Sequence, residues 1–330
     1  MFLSRGRKVF GFWASLGLLL GFLFVPLPLF FYPTPYFSFK MAIPTPPSAH
    51  AELNLPTLTA SVCDLVRKVG DFIRLEALAF GKHLVEEKSF NSLVSYVDKE
   101  AERLLVEGLQ VLLPQAGLIA EEGTGERKEE SYNWIIDPLD GTTNFIHGIP
   151  IYSISIALAK VTAAQSDNAP QLLKQELLLG VVLEIGRNEC FYAYQNGGAW
   201  LDGSPLRVSD DKILAKALVA TGFPYENFVK IEAYMNLLAH FMKNCHGLRR
   251  LGSAAVDLAY VAAGRFEGFF EYNLNPWDVA AGSLLVKEAG GIVTDFEGGQ
   301  DFVFGRAILA ANAHLHAQMQ RLIADSFLPL

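Results

Sequence analysis

The stretch Trp134 to Phe145, WIIDPLDGTTNF, limits the fold more than any other part of the chain. An apolar run reads as a buried strand, and it runs into two carboxylates, Asp137 and Asp140, followed at once by a Gly-Thr-Thr-Asn turn. A strand end beside a turn of small residues is where an α/β protein presents chemistry to solvent. A second acidic strand end lies just upstream: GLIAEEGTGE reads as a short strand that delivers Glu121 and Glu122 into a glycine-rich turn.

The flanking segments supply the scaffold. Apolar residues recur at helical spacing from Leu58 to Phe80, with Thr57 or Thr59 as the expected cap. SLVSYVDKEAERLLVEGLQVLLP reads as a strand running to Asp98 and then a helix closed by Pro114, which puts Asp98 at a helix N-terminus. Residues 151–201 suggest an antiparallel meander interrupted by a polar insertion from Thr162 to Gln175. Further on come a strand at Leu218–Thr221, a helix from about Asn227 to Lys243, a strand and helix in HGLRRLGSAAVDLAYVAAG, and a strand in RFEGFFEY. NPWDVAAGSLLVKEAGG is a helix with Asn275 as N-cap, Pro276 in the first turn and Gly290 as C-cap.

With 330 residues, 51% of them hydrophobic, the chain can build one large domain or two modest lobes. Its 27 Lys+Arg against 35 Asp+Glu give a net charge of −8, which lacks the basic footprint of a nucleic-acid binder. A small anionic substrate would therefore need help from metal. The three cysteines, Cys63, Cys190 and Cys245, form no CxxC pair and suggest neither a disulfide framework nor a zinc knuckle. No HExxH occurs among the seven histidines, and the spacing of His314 and His316 suits a strand or loop as well as a ligand pair.

The N-terminus is read separately. Arg5, Arg7 and Lys8 precede an uncharged run from Val9 to Phe39 that is broken by Pro26, Pro28, Pro33 and Pro35. Three readings stay open: a membrane anchor within residues 9–31, a signal peptide cleaved near Ala49–Ala51, or a true start at Met41. Residues 1–56 are accordingly set aside as a hydrophobic segment and linker. Residues 57–330 are taken as the catalytic domain, with two lobes splitting near residue 205.

Glu121, Asp137, Asp140 and Asp278 all fall at expected strand ends or helix N-termini, although each alone also fits a plain turn or cap role. Brought together without cations, four carboxylates would repel one another and some would take up protons. Divalent metal removes that difficulty, since Mg²⁺ prefers oxygen ligands and paired ions suit in-line phosphoryl displacement. The turn from Gly141 to Asn144 offers backbone N–H groups for an anion, and Thr142 a hydroxyl to orient water. A covalent aspartyl-phosphate mechanism fits less well, because Pro138 and the spacing of Asp137 and Asp140 depart from its usual nucleophile pattern.

These residues resemble the inositol monophosphatase family of Mg²⁺-dependent, lithium-sensitive phosphatases, over about Leu58 to Ile323. WIIDPLDGTTNF is similar to the family's first signature and WDVAAGSLLVKEAGG to its second. The resemblance implies a layered αβαβα sandwich of the inositol monophosphatase and fructose-1,6-bisphosphatase type. It also implies that Glu121, Asp137, the main-chain carbonyl of Leu139, Asp140 and Asp278 bind two or three Mg²⁺ ions. Asp98 and Thr142 would polarise the attacking water, with Glu121 also counted in the catalytic set. Gly141 and Thr142 would hold phosphate, Gly252, Ser253 and Ala254 would line the pocket, and Glu271 would bind substrate hydroxyls. Ser92 stands where the family usually carries an acid, which bears on the loop from Lys88 to Asp98 and on a third ion.

The function so implied is hydrolysis of a phosphate monoester, foremost myo-inositol 1-phosphate; the protein is expected to be a cytoplasmic homodimer without a nucleic-acid partner, and to meet a membrane only if residues 9–31 are a real anchor. 3′-Phosphoadenosine 5′-phosphate, fructose 1,6-bisphosphate and histidinol phosphate are the alternative substrates. A membrane-anchored binding protein without turnover is the alternative class.

Overall fold

The first element of the computed structural model, which describes residues 53–80, 85–89, 92–124, 131–162, 174–224 and 228–327, is helix α1 (Leu55–Ala79). Asn54 caps it by accepting the Thr57 N–H at 3.1 Å, and Pro56 fits the first turn, where no donor is needed. The cap therefore lies upstream of Thr57 and Thr59, because apolar periodicity marks the buried face and not the cap. The chain continues through β1 (Val85–Ser89), β2 (Ser92–Ser95), α2 (Tyr96–Leu112), β3 (Gly117–Ala120), β4 (Tyr132–Asp140), α3 (Thr142–His147) and β5 (Ser153–Thr162). Next come β6 (Lys174–Glu184), β7 (Glu189–Tyr194), β8 (Ala199–Leu201), β9 (Ser204–Pro205), β10 (Leu218–Thr221), α4 (Ile231–Asn244) and β11 (Gly247–Arg249). The last elements are α5 (Ala254–Ala262), β12 (Gly268–Tyr272), α6 (Pro276–Glu288), β13 (Ile292–Thr294), β14 (Ala307–Ala311) and α7 (His316–Phe327).

Strands β3 to β9 lie in chain order in one sheet, antiparallel except for the parallel pair β3 and β4. A second sheet has the order β11-β10-β12-β14-β13, with β10 parallel to both its neighbours. Strand periodicity then sorts the side chains into layers. On β4, Trp134 and Ile136 pack with α1 and α2, while Ile135 faces the other way and packs with α5 and α6. On β12, Phe269 joins that same middle core, whereas Phe270 and Tyr272 join α4 and α7. The result is helix, sheet, helix, sheet, helix: an αβαβα sandwich.

The middle layer explains the composition of α6. Every residue from Val279 to Val286 is buried, so this helix shows almost no polar face. Small residues let it lie close to the sheet: a Cβ on Gly180 of β6 would stand 2.7 Å from the Ala281 carbonyl oxygen. Asn275 precedes the helix as its N-cap, while at the other end Ala289 is the C-cap and Gly290 follows at φ +89°, a left-handed turn that glycine adopts without strain.

Between α1 and β7 the Cys63 and Cys190 thiols meet, and a hydrogen bond between them together with burial pushes the Cys63 thiol up. Both remain free thiols, as does Cys245. Helix α4 begins at Ile231 and not near Asn227. The N-terminal segment up to residue 52 and most of the polar insertion, residues 163–173, lie outside the described residues. Among the described residues no helix is long and apolar enough to cross a membrane.

Candidate active site

The site is built from the irregularity at Pro138. Proline has no N–H to give to the ladder, and here β4 carries a bulge: Asp137 pairs with Ser155 and Asp140 with Ser153, so Pro138 and Leu139 together oppose Ile154 alone. In a regular strand Asp137 and Asp140 would point to opposite faces. The extra residue restores the phase, and both carboxylates face the middle helical layer. Leu139 has left the ladder as well: its N–H donates to Asp137 Oδ1 at 3.0 Å, and its carbonyl lies 3.0 Å from the Thr142 hydroxyl.

Immediately after the bulge, Gly141 takes φ +96° and starts α3. A Cβ there would meet the Ile151 carbonyl at 3.1 Å and the Gly252 carbonyl at 3.2 Å, so conformation and space both demand glycine. Asn144 braces the same junction, donating to the Ile151 carbonyl at 2.7 Å and the Leu251 carbonyl at 2.8 Å. Ser253, the N-cap of α5, donates to Asp140 Oδ2 at 2.7 Å, and the Ala255 N–H reaches the same oxygen at 2.7 Å. The GTTN turn and the LGSAA segment, remote in sequence, are thereby joined through one carboxylate.

Two further acids arrive on helix starts. Asp98 is the third residue of α2, and its Oδ2 accepts the Ser95 N–H at 2.8 Å and the Ser95 hydroxyl at 2.7 Å, a capping box. The strand before it stops at Ser95 and not at Asp98, because Ser95 serves as the helix cap. Asp98 Oδ1 receives the Thr142 hydroxyl at 2.9 Å. Since that hydroxyl has one proton and two oxygen neighbours, Asp98 and the Leu139 carbonyl, the three atoms share a single proton position. Asp278 is the third residue of α6 and accepts the Asn275 N–H at 2.7 Å.

Electrostatics tie the cluster together. Burial raises the Asp137 carboxyl well above the ordinary range, and the charges of Glu121, Asp140 and Asp278 raise it further. Asp278 is pushed up by burial, then by Asp140 and Glu121. Burial brings Asp140 to about 6, against the pull of Ser253, Ala255 and Arg250. Glu271 on β12 is raised by burial and by Asp278, with Arg250 opposing. Asp98 is also raised by burial, but its hydrogen bonds from Ser95 and Thr142 draw it back. Among the described residues no three His, Cys, Asp or Glu side chains form a ready-made metal cage. The donors nevertheless fit a hard cation: they are oxygens, they are like-charged, and the charged neighbours acting most on Asp137 are all acids.

Asp140, Gly252, Ser253, Ala254, Glu271 and Asp278 line one cleft, joined by Gly222, Arg250, Asp257 and Leu274. The last four are not marked by the motifs. Gly222 makes room for Glu271, whose carboxyl carbon would be 2.0 Å from a Cβ at that position. Glu102 is also missed: fully buried on α2, it accepts the N–H groups of Glu122 and Thr124, each at 2.7 Å, and so holds the loop that carries Glu121. Its signal is an acid four residues after Asp98, on the apolar face of the same helix. His316 forms no ligand pair with His314; it is buried and hydrogen-bonded to Thr294 at 3.1 Å.

A five-layer sandwich with a carboxylate-lined cleft at a bulged strand and two helix starts is a phosphatase fold. The chain belongs to the inositol monophosphatase family, whose model matches residues 54–327. It is 40% identical over 277 residues to the Nus factor SuhB of Escherichia coli, covering 84% of this chain and 97% of the relative. Among solved structures it resembles the extragenic suppressor protein suhB of Bartonella henselae, with a TM-score of 0.72, 34% identity and coverage of 81% of this chain and 98% of that one. The IMPase of Thermotoga maritima matches with a TM-score of 0.70 at 35% identity, covering 82% and 98% of the two chains.

Proposed function

We propose that this protein is a Mg²⁺-dependent phosphomonoesterase acting on a hydroxyl-rich monophosphate, foremost myo-inositol 1-phosphate. The observation that supports it best is the bulge, which turns Asp137 and Asp140 to one face, where Asp137 meets the charges of Glu121 and Asp278. Glu121, Asp137, the Leu139 carbonyl, Asp140 and Asp278 would hold two or three Mg²⁺ ions. Bound there, Mg²⁺ would neutralise the carboxylates, polarise the phosphate and make water a better nucleophile at neutral pH.

The chain's own residues then divide the work. Backbone N–H groups of Gly141 and Thr142 hold phosphate oxygens at the start of α3. Thr142 Oγ1, fixed by Asp98, aims the attacking water and takes its proton as the Thr142 hydroxyl proton passes to the Asp98 carboxylate, while the water oxygen bonds to phosphorus and the leaving alkoxide is protonated from solvent. Gly252, Ser253 and Ala254 wall the pocket, and Glu271 accepts a hydroxyl of the leaving group.

The test is phosphate release from myo-inositol 1-phosphate, 3′-phosphoadenosine 5′-phosphate, fructose 1,6-bisphosphate and histidinol phosphate, with Mg²⁺ and with EDTA. Asp137→Asn should lower kcat by on the order of 10³, since a charge at the centre of the cluster is lost. Near-normal turnover in that variant sinks the assignment. Inhibition by Li⁺ and a homodimer by light scattering belong to the same reading.

A second role is favoured by the name of the Escherichia coli relative, a Nus factor. If this chain shares it, Asp137→Asn should still replace that relative in vivo despite its loss of phosphate release. Loss of both together would leave only the enzymatic reading.

A further inference from the structure

One carboxylate in the cleft serves neither the fold nor the reaction described above. Asp257 lies in the first turn of α5, is 1% exposed, and its Oδ1 has no hydrogen-bond partner among the described residues. Several other acids that shape the site are anchored by donors: Asp140 by Ser253 and Ala255, Asp98 by Ser95 and Thr142, Asp278 by the Asn275 N–H, Glu102 by two backbone N–H groups. A buried carboxylate without a donor is unfavourable for folding. Asp257 nonetheless lines the same cleft as Glu271 and Arg250, so a ligand entering that cleft could supply the missing donor.

The wall around Asp257 has mixed sign, and this narrows the chemistry. Asp257 and Glu271 bring two acids; Arg250, whose guanidinium lies over the Phe223 ring at 5.6 Å, brings one cation. A second phosphate on the substrate would be repelled by the two acids. A neutral hydroxyl suits both signs, since it donates to a carboxylate and accepts from a guanidinium at once.

We propose that Asp257 is a specificity-determining residue that accepts a hydroxyl of the leaving polyol, so that the cleft selects neutral polyol monophosphates over bisphosphates. Asp257 touches the leaving group and takes no part in bond breaking. The proposal rests on the hydrolytic reading of the site and deepens it.

The full chain is assayed with Mg²⁺ as wild type, Asp257→Asn and Asp257→Ala, using myo-inositol 1-phosphate and 4-nitrophenyl phosphate, whose leaving group carries no aliphatic hydroxyl. The ratio of kcat/KM for the first substrate over the second should fall about tenfold in both variants, the loss of one hydrogen bond to a charged group, and KM should carry it. Their Tm should equal or exceed that of wild type, because an unsatisfied buried acid has been removed. A ratio unchanged within about twofold, or a fall in Tm with parallel loss on both substrates, overturns the proposal. Wild type inactive on both substrates overturns the hydrolytic reading itself, an outcome visible before any variant is compared.

Discussion

The N-terminus of α2 and that of α6 carry the same device with different surroundings. In each, an aspartate at the third helical position, Asp98 or Asp278, accepts the N–H of the cap residue, Ser95 at 2.8 Å and Asn275 at 2.7 Å. At α2 the carboxylate also receives two hydroxyls, from Ser95 and Thr142, which offset the effect of burial. At α6 the neighbouring charges of Asp140 and Glu121 add to burial. A capping box thus fixes where a carboxylate stands, and what faces its remaining lone pairs decides whether it acts as a hydrogen-bond partner or stands as one charge among like charges.

That contrast can be broken most directly at Asp278. Asp278→Asn keeps the cap acceptor but removes the charge, and Mg²⁺-dependent phosphate release should fall by on the order of 10³. The Mg²⁺ concentration giving half-maximal rate should rise at least about tenfold. Asp98→Asn should lower kcat by on the order of 10², the usual scale for a lost proton acceptor, while leaving the Mg²⁺ midpoint near that of wild type. If both variants shift the Mg²⁺ midpoint equally, the two helix starts have one role and the distinction fails.

A smaller effect sharpens the comparison from the side of stability. Helix α2 carries a second buried acid, Glu102, that binds the Glu122 and Thr124 N–H groups. Glu102→Ala should cost about 2 kcal/mol in urea denaturation, through two lost charge-assisted bonds. The smallest expected effect concerns pH. Asp140 has its pKa raised from 3.8 to about 6 in the fold, so the native state holds a proton that the unfolded chain releases earlier. Its contribution to stability is therefore lost as pH rises from about 4 to about 6, and metal-free protein should show a Tm that declines over this window more steeply in wild type than in Asp140→Asn. Saturating Mg²⁺ should abolish the difference, and identical slopes without metal would show that Asp140 does not titrate as described.

Much of this was legible in the chain itself, for identifiable reasons. Asp137, Asp140, Gly141 and Thr142 stand within one short segment, and Asn275-Pro276 announces α6, so these parts of the site could be placed from local chemistry and from the family resemblance. The αβαβα order was accessible only through that resemblance, since alternation along β4 says that two faces are covered but not by what. Glu102, Gly222 and Asp257 were not legible. Glu102 acts on a loop twenty residues away, Gly222 matters only because Glu271 folds over it, and Asp257 looks like any acid near the start of a helix. The helix starts at Asn54 and Ser95 were misplaced because hydrophobic spacing is blind to caps.

The two-against-one pairing at Pro138 and Leu139 has a consequence for how this segment tolerates change. Side-chain phase along a strand is arithmetic: removing one residue between Asp137 and Asp140 would leave a regular ladder with the two carboxylates two positions apart and still on one face, whereas removing both would set them side by side on opposite faces, one of them toward the core lined by Trp134 and Ile136. A single-codon deletion of Leu139 therefore keeps the face and loses the residue whose N–H and carbonyl meet Asp137 and Thr142. Deletion scanning across this interval should report parity as well as identity, with the two-residue deletion the more damaging of the two.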